Sequence, residues 1–329
     1  MRDSYNREIS YLRVSVTDRC NLRCLYCMPK EGVSLLGHSD ILHYEEILRI
    51  IRAATGLGVA KVRVTGGEPL VRRGLMDFLS VLKGIPLEDL SLTTNGILLE
   101  VYAEKLFDAG VRRINVSLDS LDAEKYARMT RGGNLHAVLR GIEKADQIGF
   151  APIKINTVAL RGFNEDEILD IARLTLKKPY QVRFIELMPM GGVDVNFQEQ
   201  YLSDDVIMAR IGSFRKLHLV NGNGRRTDGP ARIYRMEGAV GEIGFISPVS
   251  HHFCDLCNRL RLTADGHLRS CLLVDDELDL KTPLRSGCSD EELQDMIREA
   301  ILRKPKKHTL DKVTPQNLKP KKEMPQIGG

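Results

Sequence analysis

The sequence predicts a parallel α/β fold, an incomplete TIM-like (βα)6 barrel followed by a smaller C-terminal domain. Three observations carry the prediction. Short β-rich runs alternate with helical patterns through the first 190 residues, the pattern of parallel strands joined by helical crossovers. Almost every run leads directly into polar or glycine-rich sequence, as barrel strands do where they enter the loops that carry sites. After Gly192 this rhythm stops.

The first strand reads Tyr11–Val16 and opens into Asp18-Arg19-Cys20. A helix over Tyr44–Leu57 leads to the second strand, Lys61–Thr65, which ends in Gly66-Gly67-Glu68-Pro69. Leu90–Thr94 follows, ending in Asn95-Gly96; a helix over Leu99–Ala109 then leads to Arg113–Leu118, which ends in Asp119. Ile153–Val158 and Gln181–Leu187 complete the six, the last running into Met188-Pro189-Met190-Gly191-Gly192. Six units fall short of the eight that close a full barrel, and the open side suits a large substrate. The first domain is therefore read as residues 1–192 and the second as 193–329. In the second, a helix is expected around Asp204–Phe214, a Gly- and Arg-rich loop at Asn221–Pro230, and a strand at Arg232–Met236. A last helix is opened by Ser289 and Glu292 at capping-box spacing, and a basic tail ends in Gly328-Gly329.

Composition narrows the class. With 329 residues, 43% hydrophobic and 28% charged, the chain reads as a globular enzyme-sized protein. No run approaches the ~18 apolar residues of a membrane span. The opening MRDSYNREIS is polar and of mixed charge, unlike a signal or transit peptide, so a cytoplasmic location is expected. Seven cysteines without a secretory signal favour metal binding over disulfides. A net charge of +4 does not point to nucleic acid. After Ile301, eight Lys and Arg face only Asp311 and Glu323, which reads as a solvated end.

Cys20, Cys24 and Cys27 form CxxxCxxC directly after the first strand. Three thiolates suit a [4Fe-4S] cluster that keeps one iron open to a small molecule, whereas an electron-carrying cluster takes four. Zinc completed by His38 or His43 is the rival. Cys254 and Cys257 form a CxxC with Cys271 further on. A hairpin over Asn258–Thr263 and His267–Leu272, turning at Ala264-Asp265-Gly266, would pair Thr263 with His267 and bring Cys271 opposite Arg259. Zinc completed by His251, His252 or His267 is again the alternative, and Cys288 belongs to neither set.

Arg13, Arg63, Lys154 and Arg183 each occupy the interior of a predicted strand. Parallel barrel strands are buried on both faces, so an unpaired cation there costs several kcal/mol, and something anionic should answer it. Glu68, Asp119 and Glu186 are too few and too near the strand ends to serve all four; a nucleoside triphosphate would. Arg259, Arg261 and Thr263 share one face of the hairpin and add two guanidiniums beside the second cysteine set. On the residues alone, two other readings stay open. One is a radical enzyme with an auxiliary cluster that modifies a peptide; the other is a zinc-stabilised nucleic-acid-binding protein using the basic tail.

CxxxCxxC with Tyr26 before the last cysteine resembles the signature of the radical S-adenosylmethionine superfamily, and Gly66-Gly67-Glu68-Pro69 is similar to its methionine-binding motif. GEIGFISPVSHHFCDLCNRLRLTADGHLRSCL, from Gly241 to Leu272, together with CNLRCLYCMPKEG and the terminal IGG, resembles the GTP 3′,8-cyclases of molybdenum cofactor biosynthesis, which are lyases. The likeness runs from Arg13 to Gly329. It implies two [4Fe-4S] clusters, one at Cys20, Cys24 and Cys27 and one at Cys254, Cys257 and Cys271. Tyr26, Gly67, Ser117 and Met188 would contact S-adenosylmethionine, and Arg13, Arg63, Thr94, Lys154, Arg183 and the Arg259-Leu260-Arg261 segment would hold GTP. By the same resemblance Arg259, Arg261, Gly328 and Gly329 serve catalysis, the second cluster binds guanine, and a deoxyadenosyl radical takes hydrogen from C3′ before ring closure at C8. It further implies a homodimer, a reductant such as a flavodoxin, and a downstream cyclic pyranopterin monophosphate synthase, with no nucleic acid and no membrane. The basic Lys319-Pro-Lys-Lys322 has no counterpart in this reading.

Overall fold

In the computed structural model of the chain, the described residues are 1–189, 194–220, 229–308 and 324–328. The end of the Met188–Gly192 loop, most of the Asn221–Pro230 loop, the basic Lys319–Lys322 segment and Gly329 lie outside them.

The six expected strands form: β1 Tyr11–Ser15, β2 Lys61–Thr65, β3 Asp89–Thr94, β4 Arg113–Ser117, β5 Ile153–Ala159 and β6 Gln181–Glu186. Neighbours pair in parallel in that order. Between them run α1 Tyr44–Gly56, α2 Leu75–Leu82, α3 Leu99–Asp108, α4 Ala123–Thr130, α5 Leu135–Ile148 and α6 Ile168–Lys177. Each helix buries an apolar stripe on the sheet, for example Ile47, Ile50, Ile51 and Ala54 of α1, and the strands answer with Val14, Val62, Val64, Leu92 and Ile114. This is the incomplete TIM-like barrel the alternation predicts.

The later residues do more than add a unit beyond it. They contribute the helices α7 Phe197–Gln200, α8 Asp204–Phe214, α9 Lys281–Arg285, α10 Asp290–Leu302 and α11 Met324–Ile327. Their strands are β7 Leu217–Leu219, β8 Arg232–Met236, β9 Glu242–Ile246, β10 Arg259–Leu262, β11 His267–Arg269 and β12 Glu277–Asp279. β10 pairs in parallel with β1 and β9 in parallel with β6, so both edges of the six-stranded sheet are extended. The order is β12-β11-β10-β1-β2-β3-β4-β5-β6-β9-β8-β7, with the outermost strands antiparallel. Edge strands with unpaired backbone groups are a liability, and here the C-terminal residues cover both. Ser289 and Glu292 form the expected capping box at the start of α10, which packs on α1.

Candidate active site

A cavity of ≈ 320 Å³ opens where β1 to β6 end, lined by Thr65, Thr94, Ser117, Val158 and Glu186 from the strand ends and by both cysteine triplets. All seven cysteines are free thiols.

The first triplet is held by contacts that explain the glycines beside it. Gly67 lies so close to the loop before Cys20 that a Cβ would collide with the carbonyl of Arg19. Its neighbour Glu68 is fully buried and accepts hydrogen bonds from the Leu70 amide (3.0 Å), Thr94 Oγ1 (2.9 Å) and the Asn95 amide (2.6 Å), while its own amide donates to Arg19 O. Burial pushes the Glu68 carboxyl up to about 7. Asn95 Nδ2 then donates to Asn21 Oδ1 at 2.7 Å, tying the end of β3 to the cysteine loop. On the other side Tyr26 donates to Asp119 Oδ2 at 2.6 Å, and burial lifts Asp119 to about 6. Burial raises the Cys20 and Cys24 thiols, so they need a bound cationic centre to become thiolates.

The second triplet sits at the open end of the β10–β11 hairpin. Pairing of Arg261 with Arg269 and Leu262 with Leu268, continued by the Thr263 amide to His267 O at 2.9 Å, gives the expected register. Burial would raise the Cys257 thiol, but Arg259 and Lys304 bring it to about 6. Of the histidines that could complete zinc, His251 Nε2 meets Asp205, His252 Nδ1 meets Pro248 O, His267 Nδ1 meets Asp265, and His38 stands beside the ring of His43. Among the described residues no three His, Cys, Asp or Glu side chains gather tightly enough for a single metal ion. A four-iron cluster takes one thiolate per iron, and two triplets of free thiols, each without a fourth cysteine, fit a cluster that keeps one iron open.

Strand register arranges the cations. Arg261, Arg13 and Arg63 are side by side on β10, β1 and β2, and one row down Arg259, Tyr11 and Lys61 are side by side. With strands about 4.8 Å apart, three guanidiniums project from a span of roughly 10 Å. Asp89 answers Lys61 at 2.8 Å and also pairs with Arg113. Among the described residues no carboxylate pairs with Arg13, Arg63, Lys154 or Arg183. Arg63 Nε reaches only Ser91 Oγ (3.4 Å), and Arg183 Nε donates to Gln181 Oε1 (2.8 Å). Burial, with repulsion from neighbouring cations, pushes Arg13 down to about 10, Arg183 to about 9 and Lys154 to about 5. Guanidiniums keep their protons, so Arg13 and Arg183 stay charged despite the burial that dominates these shifts; Lys154 instead gives its proton up.

Tyr26, Gly67, Ser117 and Met188 line the cavity, as do Arg13, Arg63, Thr94, Arg183, Arg259 and Arg261. Lys154 is not among the lining residues; it is 8% exposed and feels the charges of Arg183 and Arg63. The side chain of Leu260 points away into the apolar core, as alternation on a strand requires, so only its backbone can serve a ligand. Arg261 Nη1 donates to Gly328 O at 3.1 Å, and a Cβ on Gly328 would press on Ser15, so α11 seats the chain end against β1. Sequence reasoning missed Tyr11, Asn156 and Ser270, which line the cavity with a buried polar atom lacking a hydrogen-bond partner. The signal for Tyr11 was available, since it stands two residues before Arg13 on the same strand face.

A parallel sheet of this order with CxxxCxxC at the end of β1 and a glycine pair at the end of β2 defines a radical S-adenosylmethionine enzyme. Residues 14–175 match the Radical SAM superfamily and residues 180–310 match Molybdenum Cofactor Synthesis C. The chain is 50% identical to the GTP 3′,8-cyclase of Pelotomaculum thermopropionicum and 47% identical to that of Moorella thermoacetica, over 100% of both chains in each case. It belongs to the GTP 3′,8-cyclase family, and with that come S-adenosylmethionine and an iron–sulfur cluster. The crystal structure of Streptococcus suis SuiB bound to the precursor peptide SuiA shares the fold, with a TM-score of 0.63, 15% identity, and coverage of 96% of this chain and 75% of that one. No helix among the described residues is long and apolar enough to cross a membrane.

Proposed function

We propose that this chain cyclises GTP to 3′,8-cyclo-7,8-dihydro-GTP, the first committed chemistry of molybdenum cofactor assembly. The observation that carries the reading is the row Arg261–Arg13–Arg63, without carboxylate partners among the described residues, in one cavity that both cysteine triplets also line. Cys20, Cys24 and Cys27 would hold the cluster that works with S-adenosylmethionine, and Cys254, Cys257 and Cys271 a second one. When bound, the first cluster and S-adenosylmethionine supply a one-electron cleavage that delivers a hydrogen-abstracting carbon radical.

The chain's own residues supply orientation. Arg13, Arg63 and Arg183, with Lys154 behind them, would grip the triphosphate, while Arg259 and the Arg261–Gly328 contact would fix the nucleoside beside the second triplet. Charged hydrogen bonds of this kind contribute roughly 1.5–3 kcal/mol each. Holding C3′ within reach of the radical while the triphosphate is clamped is the larger part of the catalysis. Tyr26, Gly67, Ser117 and Met188 would shape the S-adenosylmethionine end. Residues 1–192 and 193–329 are taken as the two functional halves, and a homodimer, a flavodoxin-like reductant and a pterin-forming successor enzyme belong to the same reading.

The test is anaerobic. Iron and sulfide are counted, then GTP, S-adenosylmethionine and a reductant are added and the nucleotide pool is resolved by mass spectrometry. About eight irons per chain and a new isomer of GTP are expected, two clusters of four each. Zinc in place of iron, or GTP left unchanged by protein holding both clusters, would sink the proposal.

A further inference from the structure

Lys304 follows α10, is 3% exposed, and points into the β10–β11 hairpin. Its Nζ donates to Arg259 O at 2.9 Å and, in a short contact, to Ser270 O. These two carbonyls lie where the hairpin ladder stops: β11 ends at Arg269, and Arg259 would next face Cys271. The ladder stops there, and Cys257 and Cys271 lie beyond its last pair. An ammonium group with three donors and no acceptor replaces the missing rung without closing the gap.

Arg7 performs a parallel task one segment away. It is buried, accompanied by Asp3 at 2.6 Å, and donates to Cys254 O at 2.8 Å, Pro305 O at 2.8 Å and Lys306 O at 3.1 Å. Residues 304–306 are thereby strapped across the backbone of all three cysteine segments, Cys254 through Arg7 and the other two through Lys304. The charges differ. Asp3 neutralises Arg7, whereas among the described residues no carboxylate pairs with Lys304, and the acidic groups that act on it most strongly are the Cys257 and Cys271 thiols.

We propose that Lys304 is a positioning residue for the second cysteine triplet, holding the open hairpin end by its two carbonyl contacts and balancing the negative charge of the iron–sulfur centre those cysteines carry. The inference rests on the second-cluster reading above. A buried cation beside such a centre favours the reduced state, so its loss should make the centre harder to reduce.

The experiment compares the anaerobically reconstituted full-length chain with K304Q and K304M. Iron per chain, the electron paramagnetic resonance of each reduced cluster, the midpoint potential of the second, and 5′-deoxyadenosine formed without GTP are measured. K304Q keeps donors without charge; it should retain both clusters, with the second shifted to a more negative potential. K304M has neither, and should fall from two clusters to one while its uncoupled S-adenosylmethionine cleavage stays at the wild-type rate. Wild-type potential and full iron in both variants would overturn the inference, as would loss of both clusters together in both variants, which marks a folding element instead. Wild-type protein holding a single cluster would bring down the second-cluster reading itself, and this inference with it.

Discussion

Lys154 offers a quantitative test of the triphosphate seat. Burial, then the repulsion of Arg183, Arg63, Lys61 and Arg113, brings its ammonium down to about 5 in the free protein. At pH 7.5 the protonated fraction is then on the order of 0.3%. One phosphate charge at ~4 Å contributes about 4 kcal/mol at an effective dielectric of 20, or about 3 pKa units, which returns Lys154 to the neighbourhood of 8. Binding GTP at pH 7.5 should therefore take up most of one proton. Because the bound form holds the extra proton, affinity weakens as pH rises from about 5 towards the bound value and levels off above it. Titration calorimetry in two buffers of different ionisation enthalpy reads the proton count directly. K154R should bind with the charge already in place, so its uptake should vanish. An uptake of zero in the wild-type protein, or one unchanged in K154R, would refute both the placement of the triphosphate and the account of Lys154.

Three further outcomes follow from the packing. G67A drives a Cβ into the Arg19 carbonyl, a collision with backbone that should cost roughly 1–3 kcal/mol and displace Cys20; iron should drop by one cluster, the second triplet's signal surviving in paramagnetic resonance. R261A loses the contact to Gly328 O, and deletion of Gly328 and Gly329 removes the partner; in both, cyclisation should fall at least tenfold by the rate cost of one lost charged contact, with iron content intact. Asp204 is buried, accepts from Ser247 Oγ, and is raised to about 7 first by burial and then, against that Ser247 contact, by the Glu186 charge. An acid raised in the fold makes stability fall as pH climbs from about 4 to about 7, so D204N should gain roughly 1–3 kcal/mol at pH 8 and little at pH 5 in thermal unfolding.

The barrel strands were legible because each is a short β-rich run closed by a polar loop, and β2 begins and ends where the sequence places it. The hairpin register was legible for a narrower reason: a three-residue turn with Gly266 leaves little freedom, and Gly266 takes φ +87°. What was not legible is where β9 and β10 go. Arg259–Leu262 falls within the expected hairpin strand, whereas Glu242–Ile246 is a strand the sequence reading did not single out, and nothing local states that each will find a partner more than 50 residues back in the chain. Lys304 escaped for a related reason, since it contacts carbonyls, which every residue carries; Arg7 has a sequence-near partner in Asp3, but its carbonyl contacts to Cys254 and residues 305–306 leave no such trace. Leu260 shows the opposite failure. A resemblance carries a segment as a block, whereas alternation sends every second side chain of that block the other way.

The addition of β10 beside β1 is what turns a barrel end into a site. Without it, Arg13 and Arg63 would form a pair at an open edge, screened by water and free to turn outward. With it, Arg261 takes the next place in the row, Arg259 stands beside Tyr11, and both the charge and the second triplet come to line the same cavity as the first. Each cation raises the cost of leaving its neighbours unanswered, and that cost is relieved only when an anion arrives. The stability given up in the empty protein is therefore returned as affinity for a multiply charged ligand, which is why a fold would keep three guanidiniums in line, two buried and the middle one half-buried, with so few carboxylates beside them.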